Sequence, residues 1–220
     1  MPRIARIVVT GYPYHITQRG NYKQNTFDNS DDYKKYLLWI KKYCEKYGVL
    51  VLTYCLMPNH VHFIVVPEES DSLARTFNVC HMRYSQYYNE KNNQRGHLWQ
   101  GRFYSCVLGE NHLYEAVRYV ENNPKRARLV EKSEDWEWSS ARAHLGKGDN
   151  YIKLSDIKKY LSIGDWNEYL NEKEDSVVLK DIRKNTLTGR PSGRENFITK
   201  IEGIVGTRLR ALKRGRPKNK

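Results

Sequence analysis

Two apolar runs constrain this chain more than any other feature: Val49 to Cys55, "VLVLTYC", and about His60 to Val66, "HVHFIVV", separated only by "LMPN". So short a connection favours antiparallel neighbours, so a sheet forms around this pair. The second run carries an anomaly. Its period-2 alternation sends His60 and His62 to one face and Val61 and Phe63 to the other, with the two imidazoles about 6 to 7 Å apart along the strand. Paired side chains of that kind suit a metal ion.

The flanking segments supply the rest of a fold. "YHITQR", Tyr14 to Arg19, alternates as a first strand and is closed by Gly20-Asn21. "SDDYKKYLLWIKKYCEKYG" predicts a helix with Ser30 as N-cap, an apolar face of Tyr33, Tyr36, Leu37, Ile40 and Tyr43 or Cys44, and a stop at Gly48. "DSLARTFNVCHMRYSQYYNEKN" predicts a second helix, "GHLWQGRFYSCVL" a strand with an irregularity at Gly101, and "NHLYEAVRYVENNP" a third helix stopped by Pro124. The order β-α-β-β-α-β-α implies an α+β fold, a ferredoxin-like split βαβ antiparallel sheet with helices on one face. Trp136 and Trp138 are expected to pack on its core, and "SGRENFITKIEGIVG" predicts a further amphipathic helix opened by a Ser192–Glu195 capping box.

Charge narrows the partner. The 220 residues carry a net +13, and from Asp181 to Lys220 twelve Lys or Arg face three Asp or Glu, so the C-terminal end holds most of the excess. A polyanion, most simply nucleic acid, is the expected partner. No apolar run approaches the roughly 20 residues of a membrane span, and "MPRIARIVVTGYPYHIT" lacks the pattern of a signal peptide, so a cytoplasmic location is expected. Cys44, Cys55, Cys80 and Cys106 show no CxxC pairing and are expected to be small buried hydrophobes.

A cation on His60 and His62 needs a further ligand from another element. The third helix offers Asn123, four residues after Tyr119 and therefore on the same helical face, near the C-terminal end where the helix dipole favours a cation. A hard ion such as Mg²⁺ or Mn²⁺ held so sparely would complete its shell with phosphate oxygen. Tyr119 then has a purpose: a phenol becomes a useful nucleophile beside a cation, and its attack on a DNA phosphodiester exchanges one phosphoester for another.

"HVH" fits the histidine-hydrophobic-histidine signature of HUH single-strand nucleases. "RYVENNPKRARLV", "DWEWSSARAHL", "YHITQRGN" and "LWQGRFYS" resemble the REP-associated tyrosine transposases of the IS200-like, single-tyrosine group. The resemblance spans about Pro13 to Gly146, with looser similarity in the tail. It implies a catalytic domain over 1–147, a metal held by His60 and His62 with Asn123 as third ligand, and Tyr119 as the nucleophile of a 5′-phosphotyrosine intermediate. The implied substrate is single-stranded DNA beside a REP-like hairpin. Residues 148–220 read as a mostly helical, basic DNA-binding extension with a disordered end, and a monomer is weakly favoured over a dimer.

Phosphate contacts are assigned to Arg19, Arg102, Lys125 and Arg126, and Arg214 and Arg216 in "RGRP" resemble an AT-hook. Tyr114 is the rival nucleophile, and Glu115, four residues before Tyr119, is a lesser candidate to help orient the phenol. Glu121 is expected on a solvated face. His15, His81, His97, His112 and His144 are expected to be ordinary, with His112 the first exception to consider. Two other classes compete with the enzyme: a non-catalytic DNA-binding regulator of repeats, and an RNA-binding module, which would need aromatic residues on an open sheet face.

Overall fold

The computed structural model describes residues 8–148 and 150–210. Four strands, β1 (Tyr14–Arg19), β2 (Val49–Met57), β3 (His60–Pro67) and β4 (Tyr104–Val107), form an antiparallel sheet in the order β2-β3-β1-β4. With α1 (Ser30–Lys46) after β1, α2 (Ser72–Lys91) after β3 and α3 (Glu110–Glu121) after β4, the chain follows the β-α-β-β-α-β-α order that its periodicity predicts. The two apolar strands run longer than expected, so that Pro58 and Asn59 alone join them.

Local details differ from the sequence reading for identifiable reasons. Asn29, not Ser30, caps α1, because its side-chain oxygen accepts from the amides of Asp31 and Asp32. Only the end of "GHLWQGRFYSCVL" is a strand: Gly101 at φ +136° breaks the extension, and Trp99 keeps a single bridge to Gly20. Pro124 does not simply end the third helix. That helix stops at Glu121, and α4 (Asn123–Arg126) restarts with Pro124 in its first turn, where a missing N–H is harmless.

The sheet is covered on both faces, which corrects the expectation of helices on one. Val61, Phe63 and Val65 of β3, with Tyr14 and Ile16 of β1, pack under Tyr36, Leu37 and Ile40 of α1 and Phe77 and Tyr84 of α2. Ile64 and Val66 of β3 face the other way and meet Leu113, Val117 and Val120 of α3. Apolar residues on both faces of β2 and β3 demand this second layer. A register shift between Val51 and Thr53 helps, since it lets Leu52 join the α3-side core while Thr53 hydrogen-bonds Glu121 of α3. Each large α3 side chain so buried stabilises by about 1.5–3 kcal/mol, which holds a 12-residue helix better than its intrinsic propensity.

After α4 come α5 (Ala141–His144), α6 (Trp166–Asn171), α7 (Ser176–Thr188) and α8 (Glu195–Val205). α7 adds Leu179 and Ile182 to the α3-side core and ends at Gly189, whose φ of +75° suits a residue without Cβ. The chain then turns so that the Ser192 amide donates to the Val107 carbonyl of β4. Bound there, Ser192 is no capping box, and α8 begins from Arg194 without a side-chain cap. Trp138 stacks on Tyr33 at 4.7 Å and the Trp136 indole donates to the Leu56 carbonyl, so the tryptophan pair packs on the core as expected. All four cysteines are buried and unbridged. No helix among the described residues is long and apolar enough to cross a membrane.

Candidate active site

Strand register assembles the site before any helix contributes. On β1, Thr17 stands opposite His62 and Arg19 opposite His60, while β4 places Tyr104 on the far side of Thr17. Period-2 alternation therefore gathers His60, His62, Arg19, Thr17 and His15 on the α3 side of the sheet. Above them α3 projects Tyr119, and α7 projects Arg183 and Thr186. These residues wall a cavity of about 320 Å³.

Within it the His60 and His62 rings are 4.9 Å apart and nearly perpendicular. The Tyr119 ring stands edge-on to His62 at 5.5 Å and to His15 at 6.2 Å. His60 Nδ1 lies 2.6 Å from Asn59 Oδ1, and His62 Nδ1 lies 2.8 Å from His15 Nε2, which leaves the Nε2 atoms of both to face a ligand. Burial, joined by the charges of Arg19 and Arg126, lowers the pKa of His60 to about 3, and burial alone does the same for His15. His62 is pushed well below the ordinary imidazole value, by burial first and then by its histidine and arginine neighbours. All three imidazoles are thus neutral at physiological pH, the form that binds a cation.

Two guanidinium groups flank the tyrosine. Arg126 lies 4.2 Å from the Tyr119 ring centre and donates from Nη2 to the Tyr119 carbonyl, and Arg183 lies 4.8 Å from the same ring. Arg19 lines the cavity, whereas Arg102 and Lys125 do not. Lys125 is exposed and hydrogen-bonds Asn171. Arg214 and Arg216 lie outside the described residues.

Asn123 is buried at the start of α4, off the cavity wall, with its side-chain nitrogen unpartnered among the described residues. Two neutral imidazoles presenting Nε2 to the cavity fit a divalent ion completed by outside oxygen; Asn123 would add only its Oδ1, because the amide nitrogen left unpartnered is a hydrogen donor and no ligand. Among the described residues no group of three or more His, Cys, Asp or Glu forms a closed metal cage.

Several residues have other duties than the sequence suggested. Tyr114 packs on Tyr169 at 4.6 Å and does not line the cavity. Glu115 pairs with Arg118 rather than orienting the phenol. His112 is buried, off the cavity wall. Glu121 is not solvated but fully buried, where it accepts hydrogen bonds from Thr53, Ser140, His144 and Trp166. Burial pushes its pKa up, but His144 and the hydroxyl donors outweigh that and hold it below the usual value. His144 and His15 are therefore not ordinary. His15 shared a face with Arg19 in the strand pattern, yet only the strand order shows that this face adjoins His62; for Arg183 and Thr186 no local signal existed.

The family model described as IS200-like transposase matches residues 8–123. A curated protein of Haemophilus influenzae (strain Rd), described as a REP-associated tyrosine transposase, is 26% identical over 111 residues, covering 46% of this chain and 63% of that protein. The chain thus spans less than two thirds of that relative's length. A solved structure of a REP-associated tyrosine transposase bound to a REP hairpin shares the fold, with a TM-score of 0.54 and 18% identity over 71% of this chain and 93% of the other.

Proposed function

The chain belongs to the IS200-like transposase family, and from that membership we propose that it cleaves and rejoins single-stranded DNA beside hairpin-forming repeats, with Tyr119 as nucleophile. The observation that carries this reading is the meeting of Tyr119 with His60, His62 and the guanidinium groups of Arg19 and Arg183 around one cavity. His60, His62 and Asn123 would hold a divalent ion, Mg²⁺ or Mn²⁺, which when bound polarises a phosphoryl oxygen. Arg19 and Arg183, which line the cavity, neutralise the phosphate that enters between the helix and the sheet, while Arg126, paired with Glu174, braces Tyr119 through its carbonyl. Tyr119 Oη loses its proton and bonds to phosphorus, the bond from phosphorus to the 3′ oxygen breaks, and that oxygen takes up a proton. One phosphodiester replaces another, so a strand hydroxyl can reverse the step without an outside energy source.

The hairpin relative supports the choice of substrate, and the covered sheet speaks against an RNA-binding module, since Tyr14, Tyr54 and Phe63 of the strands lie buried with the α1 and α2 core. Tyr119→Phe removes only the nucleophilic oxygen. It is expected to abolish the denaturation-resistant protein–DNA adduct formed with labelled hairpin oligonucleotide and Mn²⁺ while leaving hairpin affinity within a few fold. Adduct retained in Tyr119→Phe would remove Tyr119 from the mechanism; adduct absent from the unmodified protein across many repeat sequences would favour the non-catalytic regulator.

A further inference from the structure

The two histidines of β3 do not stand alone. His60 is fixed through Asn59: the Asn59 amide nitrogen donates to the Lys23 carbonyl, so its oxygen faces His60 and receives the Nδ1 hydrogen. His62 is fixed through a longer path. Its Nδ1 meets His15 Nε2 at 2.8 Å, His15 Nδ1 meets Thr186 Oγ1 at 2.8 Å, and Thr186 Oγ1 lies 2.7 Å from the Ile182 carbonyl one turn back in α7.

The proton positions along this path follow from one fact: a carbonyl oxygen only accepts. At 2.7 Å from the Ile182 oxygen, the Thr186 hydroxyl supplies the hydrogen between them in preference to the weaker acceptor Cys106 Sγ at 3.1 Å, whose thiol is then the donor of that pair. Its oxygen is then an acceptor for His15 Nδ1–H. A neutral imidazole with a proton on Nδ1 has its lone pair on Nε2, which can only accept from His62 Nδ1–H. His62 is left with its lone pair on Nε2. The opposite order of protons would put hydrogen on that same atom and close it to a cation. The path admits little competition from water, because Thr186 and His15 are each 2% exposed and His62 is 5% exposed.

We infer that Thr186 of α7 is a positioning residue for the divalent-cation site, setting the tautomer of His62 through His15 from a helix that lies outside the family-like region. The inference rests on the reading of His60 and His62 as cation ligands. It gives the C-terminal extension a share in the active site, since α7 delivers both this hydroxyl and Arg183, with Leu179 and Ile182 holding the helix on the core. Partners of this kind around a ligating histidine typically change metal affinity by about 10- to 100-fold when removed.

Two measurements test it on the full chain. Histidine ¹⁵N–¹³C spectra of the metal-free protein near pH 7.5 report which ring nitrogen carries hydrogen: Nδ1 is expected for His15 and His62, and a proton on His62 Nε2 overturns the inference whatever any variant does. Mn²⁺ titration without DNA, read by electron paramagnetic resonance, is expected to show Thr186→Val binding about 10-fold or more weakly, with Thr186→Ser restoring affinity. Equal affinity in well-folded Thr186→Val overturns the assignment. Failure of the unmodified protein to bind Mn²⁺ would instead sink the cation site itself, a result distinct from a wrong His62 tautomer.

Discussion

Glu121 shows how a single side chain can mislead by position on a helix. Helical spacing separates it from Tyr119, and an acidic residue away from the reactive face is usually solvated, but here β2 and α5 close over it. Four donors converge on its carboxylate, and two of them, the Thr53 and Ser140 hydroxyls, also meet each other. Glu121→Ala strands those donors and is expected to destabilise the fold by about 3–5 kcal/mol, read as a shift in the denaturation midpoint. A loss below about 1 kcal/mol would mean that water or rearrangement satisfies them. The histidine pair, by contrast, was legible from residues alone, because the period of a strand needs no tertiary information. His15 was not, since its partner is chosen by strand order.

At the scale of elements, the strands and the first three helices were readable because each carries its own period, whereas α6 and α7 carry weak periods and draw their places from what they touch. α6 and the residues after it grip α3 at several points. The Tyr169 hydroxyl donates to the Tyr114 carbonyl, the Asn122 amide donates to the Leu170 carbonyl at 2.7 Å, the Trp166 indole reaches Glu121, and Arg118 pairs with Glu172. α7 does the same for the other wall of the cavity. Arg183→Ala is expected to weaken hairpin binding and to reduce the slope of log affinity against log salt by about 1, as loss of one phosphate contact requires. An unchanged salt slope would place Arg183 away from the DNA.

For the molecule as a whole, the buried histidines set a pH dependence. In the unfolded chain His15, His60 and His62 titrate near 6.5, whereas in the folded, metal-free protein all three hold out against protonation, His15 and His60 down to about 3. Between those values the unfolded state binds more protons, so stability falls as pH drops below about 6.5 and gains nothing further from these groups above it. The slope approaches about 1.4 kcal/mol per pH unit for each histidine. Urea denaturation in a chelator at pH 7.5, 6.0 and 5.0 is expected to show this decline, and a flat profile would mean that the rings take up protons without unfolding. Another consequence concerns the helix that bears Tyr119. α6 and the residues after it tie that helix at Tyr114, Arg118, Glu121 and Asn122, so on the proposed role of Tyr119 a 5′ end joined to it stays at the cavity unless those ties open, and the DNA is the partner with less to break in order to shift.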